Sequence, residues 1–181
     1  MTLRPNIFKL GCGIDWFILW LLQWADESNI EVEPELNQCA KQILQNLLGD
    51  HIEIKKVVSG NYLSYQQDDD YSVPGLIINE KYFVVFNNPV AENNAVEVLD
   101  KQLDYLSGLS EYSKYEKVLI FLSDRIVSDE DKKNILSKGF KYKEWKDLFP
   151  VLKNCKSENP ILADYVEVQE KRNKMMKWIE K

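Results

Sequence analysis

The stretch 73–88, VPGLIINEKYFVVFNN, constrains the fold more than any other part of the chain. It holds two apolar runs, 76–78 and 82–86, rich in the β-branched and aromatic residues that favour strands. Only three polar residues separate the runs, which is the length of a tight turn. The stretch therefore predicts a β-hairpin. Because side chains alternate across a strand, Phe86 and Asn88 should share one face of it.

Helical and strand patterns alternate along the rest of the chain. Apolar residues at steps of three and four predict helices, and short apolar or alternating runs predict strands. The predicted helices are 13–26, 34–48, 93–106, 128–138, 146–152 and one that starts at 159, and the further strands are 52–58, 62–65, 115–122 and 140–145. This order predicts a single domain over residues 1–181. Its fold class is α/β, a sandwich in which a central mixed sheet of about five strands is flanked by helices.

The charge balance disfavours nucleic acid as a partner. The chain carries 23 Lys and Arg residues against 29 Asp and Glu residues, a net charge of −6. The average field of such a chain repels phosphate. The pair Lys55-Lys56 and the basic residues between 172 and 181 could still form a local basic patch. A protein partner or a homo-oligomer is the favoured interpretation, and nucleic-acid binding stays open.

The cysteines and the single histidine favour a reducing compartment without structural metal. Cys12, Cys39 and Cys155 are odd in number and widely spaced, so free thiols fit better than a disulfide framework. His51 is the only histidine and lies near no cysteine pair, which excludes the usual zinc patterns. We therefore expect a cytoplasmic protein with an exposed or strand-edge His51.

The apolar run 16–24 is too short to cross a bilayer and is flanked by Asp15 and Asp26. It also lacks the cleavage site of a signal peptide. Its three tryptophans could stack on nucleic-acid bases, but on a helix that is apolar nearly all round they are more typical of a protein core. The run predicts a buried helix and no membrane contact.

The hairpin resembles the core of the PD-(D/E)XK nuclease superfamily. In that superfamily one strand begins with a metal-binding Asp, and the next carries an acidic residue, one further residue and a Lys. On this pattern Pro74 matches the motif's Pro, Gly75 stands at the Asp, Phe86 at the acidic residue and Asn88 at the Lys. The resemblance implies a restriction-endonuclease-like fold.

Further segments are similar to a bacterial branch of PD-(D/E)XK nuclease-like proteins, and they occur in the same order. They are 6–9, 15–25, the Gln102-Leu103-x-Tyr105 motif on the helix after the hairpin, and 164–167. The Gln102 motif differs by one residue of spacing from the Gln-Leu-x-x-Tyr pattern of that branch. Nuclease chemistry in this superfamily needs a divalent cation held by carboxylates and a Lys that acts on the attacking water. Gly75, Phe86 and Asn88 supply none of these groups, and only Gln102 remains.

The resemblance therefore implies a catalytically inactive domain with no catalytic residue, no metal site and no cofactor. Such a domain would act as a binding or scaffold protein, in a bacterial or phage defence or mobile-element setting. An active Mg²⁺- or Mn²⁺-dependent nuclease is the alternative, with active-site groups moved to Asp70, Glu97 or Lys101. Glu97 and Lys101 are also spaced for an ordinary helix-surface ion pair. A nucleic-acid binder that does not cleave is the third interpretation.

Overall fold

The computed structural model describes residues 14–59, 63–64, 72–73, 75–87, 95–123 and 127–179. These ranges contain six α-helices and seven strands. In chain order they are α1 (Ile14–Gln23), α2 (Pro34–Leu48), β1 (Val57–Ser59), β2 (Leu63–Ser64), β3 (Ser72–Val73), β4 (Gly75–Ile78), β5 (Tyr82–Asn87), α3 (Ala95–Gly108), β6 (Glu116–Ser123), α4 (Asp129–Ser137), β7 (Lys141–Glu144), α5 (Trp145–Lys153) and α6 (Pro160–Ile179).

Five of the strands form one mixed sheet in the order β1-β4-β5-β6-β7. The β1, β4 and β5 strands are antiparallel neighbours, whereas β6 and β7 continue parallel to β5. Parallel neighbours need crossover connections, and α3 and α4 supply them. The β2 and β3 strands pair separately. The predicted α/β fold, a five-stranded mixed sheet flanked by helices, is confirmed.

Alternation along the strands gives the sheet two buried faces. On the first face, Leu76, Val84 and Phe86 join a large core with α1, α2 and α5. On the second face, Phe83 and Val85 pack with residues of α3 and the turn after it, beside a smaller cluster that includes α4. We call these the first and second faces of the sheet.

Two of the three tryptophans in the run 16–24 belong to the core, as their pattern predicted. Trp20 of α1 and Trp24 just after it are both buried against the first face, and their rings meet edge to face with centroids 6.3 Å apart. The side chain of Trp16 is not among those described. Asn37 of α2 holds the chain just after α1 in place, because its Nδ2 donates hydrogen bonds to the backbone oxygens of Trp24 and Asp26, at 2.6 and 2.8 Å.

Among the described helices, none combines the length and apolarity needed to cross a membrane. His51 is exposed, as expected.

The turn of the hairpin is left-handed at two successive residues. Asn79 and Glu80 have φ angles of 54° and 55°, and the backbone N–H of Lys81 donates to the oxygen of Ile78 at 3.0 Å. Two positive φ angles in a row match the right-handed twist of the flanking strands. Asn tolerates this conformation, whereas Glu rarely adopts it.

Asn79 also fixes the segment that leads into β1. Its Oδ1 accepts hydrogen bonds from the backbone N–H groups of Lys55 and Lys56, at 2.9 and 3.0 Å, and its Nδ2 donates to the oxygen of Glu53 at 2.6 Å. These backbone groups are thus bound by a side chain rather than by a neighbouring strand. The predicted strand 52–58 consequently forms a ladder only at 57–59, although Ile52 and Ile54 are buried in the predicted alternation.

The left-handed turn predicts that Glu80→Gly stabilises the protein. Glycine adopts positive φ without the clash between Cβ and backbone that glutamate suffers. The ion pair that Glu80 makes with Lys56 is exposed, so its loss should matter little. We expect the Tm to rise by about 3 °C in calorimetry.

Glu80→Ala is the matched control, because it removes the same ion pair and keeps a Cβ. Its Tm should stay at or slightly below that of the wild type. Equal Tm values for the glycine and alanine variants would show that the backbone conformation at residue 80 is not strained.

Candidate functional site

Gly75 lies at the start of β4 where the neighbouring strand leaves no room for a side chain. A Cβ at this position would lie 2.7 Å from Cε2 and 3.0 Å from Cζ of Phe83. Phe83 is fully buried, and its ring stacks on Tyr112 with a centroid distance of 4.1 Å. The ring of Phe83 therefore lies between the backbone of Gly75 and the ring of Tyr112. Gly75 is the residue that permits this close approach of ring and backbone.

Phe86 occupies the position that the resemblance assigns to the acidic ligand. The side chain is 1% exposed and lies in the core of the first face. Ile120 of β6 is directly opposite in the parallel ladder and is equally buried. A carboxylate at this depth would lose its hydration without gaining a charged partner on the neighbouring strand.

The structure does not bring Gly75 and Phe86 together. In the β4–β5 register Gly75 is opposite Val85, and Leu76 is opposite Val84. Residues opposite each other point to the same face, so a side chain at 75 would point to the second face, as its contact with Phe83 shows. Phe86 points to the first face. The two positions that the resemblance pairs as metal ligands therefore lie on opposite sides of the sheet.

The other residues singled out by the sequence are spread along α3 or lie outside the described part. Gln102 is half-buried on α3, and Lys101 is exposed on the same helix. Glu97 also belongs to α3, but its side chain is not among those described. Asn88 and Asp70 lie outside the described residues. The described side chains contain no group of three or more His, Cys, Asp or Glu residues that could hold a metal ion.

A polar cluster that the sequence analysis missed lies at the carboxyl ends of β6 and β7. Glu144 is its centre: Oε1 accepts from the hydroxyl of Tyr142 at 3.2 Å and lies 3.5 Å from Nζ of Lys132. Lys146 pairs with the other carboxylate oxygen. Ser123 at the end of β6 is buried and also interacts with the phenol of Tyr142. The strands are parallel, so their carboxyl ends meet at one edge, and this rule was the signal that could have predicted the cluster.

The electrostatics of this cluster indicate a structural role. The hydrogen bond from Lys146 is the main reason that the pKa of Glu144 lies below its ordinary value. Burial, followed by the nearby Glu144 carboxylate, raises the pKa of Tyr142 to about 12. The ionised carboxylate is paired with two ammonium groups and accepts a hydrogen bond from a protonated phenol, so its charge is compensated within the cluster. The cluster therefore presents neither a general base near neutral pH nor a free ligand for a cation.

A groove of about 600 Å³ runs beside the hairpin turn. It is lined by residues of the segment before β1 and of the turn itself: His51, Ile52, Glu53, Lys55, Lys56, Asn79, Glu80, Lys81 and Tyr82. The lysine pair proposed as a phosphate patch lies here. Lys55 Nζ is 3.0 Å from Glu53, and Lys56 Nζ is 2.5 Å from Glu80.

The groove therefore has alternating charges rather than a basic surface. Each lysine of the pair already has a carboxylate partner, so a phosphate would have to compete with it. Mixed charges of this kind suit a polar protein surface better than a nucleic-acid backbone.

Comparison of this chain with known protein families, with curated proteins and with solved structures gives no match.

Proposed function

We propose that this chain is a catalytically inactive PD-(D/E)XK nuclease-like domain that acts as a cytoplasmic binding or scaffold protein. The order of a helix, an antiparallel set of strands, a crossover helix and a parallel strand supports the resemblance. So does the hairpin itself, which forms at the predicted residues. The resemblance also places such a domain in a bacterial or phage defence or mobile-element setting.

One observation carries the proposal: aromatic rings fill both places where the motif needs metal-binding carboxylates. The ring of Phe83 covers Gly75, and the ring of Phe86 fills the core of the first face. A divalent cation requires several oxygen ligands that converge on one point. The side chains at positions 75 and 86 would instead diverge to opposite faces. Each position thus contributes to apolar packing on its own face of the sheet, and neither supplies an oxygen ligand.

The proposed partner is another protein or a second copy of this chain. The mixed charges of the groove beside the hairpin turn support this choice over nucleic acid, because Lys55 and Lys56 both pair with carboxylates. On the last helix, Lys171 likewise pairs with Glu167 at 2.5 Å. The net charge of −6 also disfavours nucleic acid as a partner, because it repels phosphate.

The test is a nuclease assay with single- and double-stranded DNA and RNA in the presence of Mg²⁺ or Mn²⁺. We expect no cleavage above the buffer blank, and no heat of Mn²⁺ binding in calorimetry. Glu97→Gln and Asp70→Asn serve as matched variants, since each removes one carboxylate charge and nearly keeps the side-chain shape. Metal-dependent cleavage by the wild type that disappears in either variant would establish the active nuclease instead.

A binding measurement separates the remaining two interpretations. Sedimentation of the purified chain over a range of concentrations should reveal self-association if the partner is a second copy. Retention of DNA or RNA that falls steeply with salt, and that is lost when Lys55 and Lys56 are both replaced by alanine, would instead favour the non-cleaving nucleic-acid binder.

A further inference from the structure

Two of the three cysteines, far apart in the sequence, are neighbours in the fold. Cys39 lies on α2 and is buried, and Cys155 lies between α5 and α6 and is half-buried. Each sulfur contacts the segment of chain that carries the other cysteine. Sγ of Cys39 is 3.9 Å from the backbone oxygen of Val151 in α5, and Sγ of Cys155 is 3.6 Å from the backbone oxygen of Glu35 in α2.

These contacts place the two sulfurs in the same gap between α2 and α5. Glu35 precedes Cys39 by one helical turn, and Val151 precedes Cys155 by four residues. The two thiols also interact with each other. An S–S bond is about 2.0 Å long, so the sulfurs would have to approach each other to form it. The two contacts with backbone oxygens would then be given up.

The two thiols differ in access and in acidity. Cys155 lines a recess of about 310 Å³ between the end of α5 and the start of α6, whereas Cys39 lies behind it at 3% exposure. The interaction with the Cys39 thiol lowers the pKa of Cys155 to about 7, with help from the backbone N–H of Ser157 and against the effect of burial. The same interaction, together with burial, raises the pKa of Cys39. Attack from solution should therefore begin at Cys155.

We propose that Cys155 and Cys39 form a reversible thiol–disulfide site, with Cys155 as the attacking thiol, Cys39 as the resolving thiol and hydrogen peroxide as the oxidant. The inference is independent of the proposed function.

The Cys155 thiolate attacks a peroxide oxygen and the O–O bond breaks. Cys155 becomes a sulfenic acid, and the hydroxide that leaves is protonated to water. The sulfur of Cys39 then attacks Sγ of Cys155, the S–O bond breaks, and the departing hydroxide takes the Cys39 proton. Two electrons pass from the sulfurs to the peroxide, and two water molecules form.

The product would link α2 to the connection that leads into α6. In a reducing compartment the pair stays a dithiol, which agrees with the free thiols expected from the sequence. Oxidation would convert a hydrogen-bonded contact between two helical segments into a covalent one. A thiol reductant reverses the change by exchange.

The test is peptide mapping of the full chain by mass spectrometry under non-reducing conditions, after brief treatment with hydrogen peroxide. We expect one peptide pair joined through Cys39 and Cys155, about 2 Da lighter than the sum of its parts and separated by a thiol reductant. Cys12→Ser is the matched control and should give the same linked pair. Cys39→Ser should leave a sulfenic acid at Cys155 that a dimedone probe traps.

A second measurement follows the alkylation of Cys155 by iodoacetamide against pH. In the wild type the rate should reach half of its plateau near pH 7. In Cys39→Ala the half-point should move upward toward an ordinary thiol, so the rate at neutral pH falls by about tenfold. Circular dichroism checks that the variant is folded, and the mapping of the wild type does not depend on any variant.

Three outcomes would overturn the proposal. They are a linked pair that contains Cys12 in place of either residue, oxidation of Cys155 to sulfinic acid without any link to Cys39, and an alkylation half-point that Cys39→Ala does not change.

Discussion

Replacing Gly75 by aspartate is expected to lower the free energy of unfolding by about 4 kcal/mol or more, although aspartate is the residue that the nuclease motif carries at this position. The new Cβ would meet the ring of Phe83 at 2.7 Å, and the ring cannot retreat because it stacks on Tyr112. Overpacking of this kind costs about 1–3 kcal/mol, and a buried carboxylate without a partner adds to it. Urea denaturation followed by fluorescence measures the change.

Two further variants divide this effect into its parts. Gly75→Ala introduces the Cβ without the charge and should cost about 1–3 kcal/mol. In a Phe83→Leu background, where the ring is absent, the added cost of Gly75→Ala should be smaller by about 1 kcal/mol or more. Equal costs in the two backgrounds would mean that Phe83 is not what excludes a side chain at residue 75.

Phe86→Glu should be still more disruptive, with a loss of about 5 kcal/mol. Truncating a buried Phe costs about 3–5 kcal/mol, and here a charge is added at a site that is 1% exposed. The matched variant Phe86→Leu keeps the site apolar and should cost about 1.5 kcal/mol. Chemical denaturation of both variants gives the comparison.

The pH dependence of Phe86→Glu provides a further check. Burial would raise the pKa of the introduced carboxyl above its unfolded value of about 4.3. Below that value both states bind the proton, so the charge penalty is absent. The penalty grows as the pH rises toward the folded-state pKa. The variant should thus be more stable near pH 5 than near pH 8, with no effect of added Mn²⁺. Stabilisation by Mn²⁺ would indicate that other ligands face residue 86 and would contradict the proposed loss of the metal site.

Local patterns in the sequence were sufficient to predict most of the elements. The helix that begins at Pro34 and closes at Gly49, the hairpin and the Ser128 cap of α4 depend on residues close together in the chain. The Ser128 hydroxyl accepts from the N–H of Asp131, as the spacing of these two residues predicts. Predictions of this kind succeed because the contacts that decide them lie within one or two turns of sequence.

The candidate site could not be predicted in the same way, because it depends on register. A shift of one residue in the pairing of two strands exchanges every side chain between the faces. Gly75 stands at the Asp position of the motif because it follows Pro74. Its pairing with Val85, however, means that a side chain at residue 75 would point to the face opposite to that of Phe86. The closeness of Cys39 and Cys155 likewise cannot be predicted from the sequence, since it requires α2 and α5 to be packed first.

The hydrogen bonds from Asn79 to residues 53–56 affect how much the chain between β1 and β4 can vary in length. They anchor β1 at the closed end of the hairpin, next to the point where Ile78 pairs with Val57. The alignment of β1 on β4 is thus specified from that end, independently of the length of chain between the two strands. Extra residues inserted there would add only the slowly growing entropy of a longer loop. The connection between β1 and β4 could therefore become longer without a change in how these two strands pair.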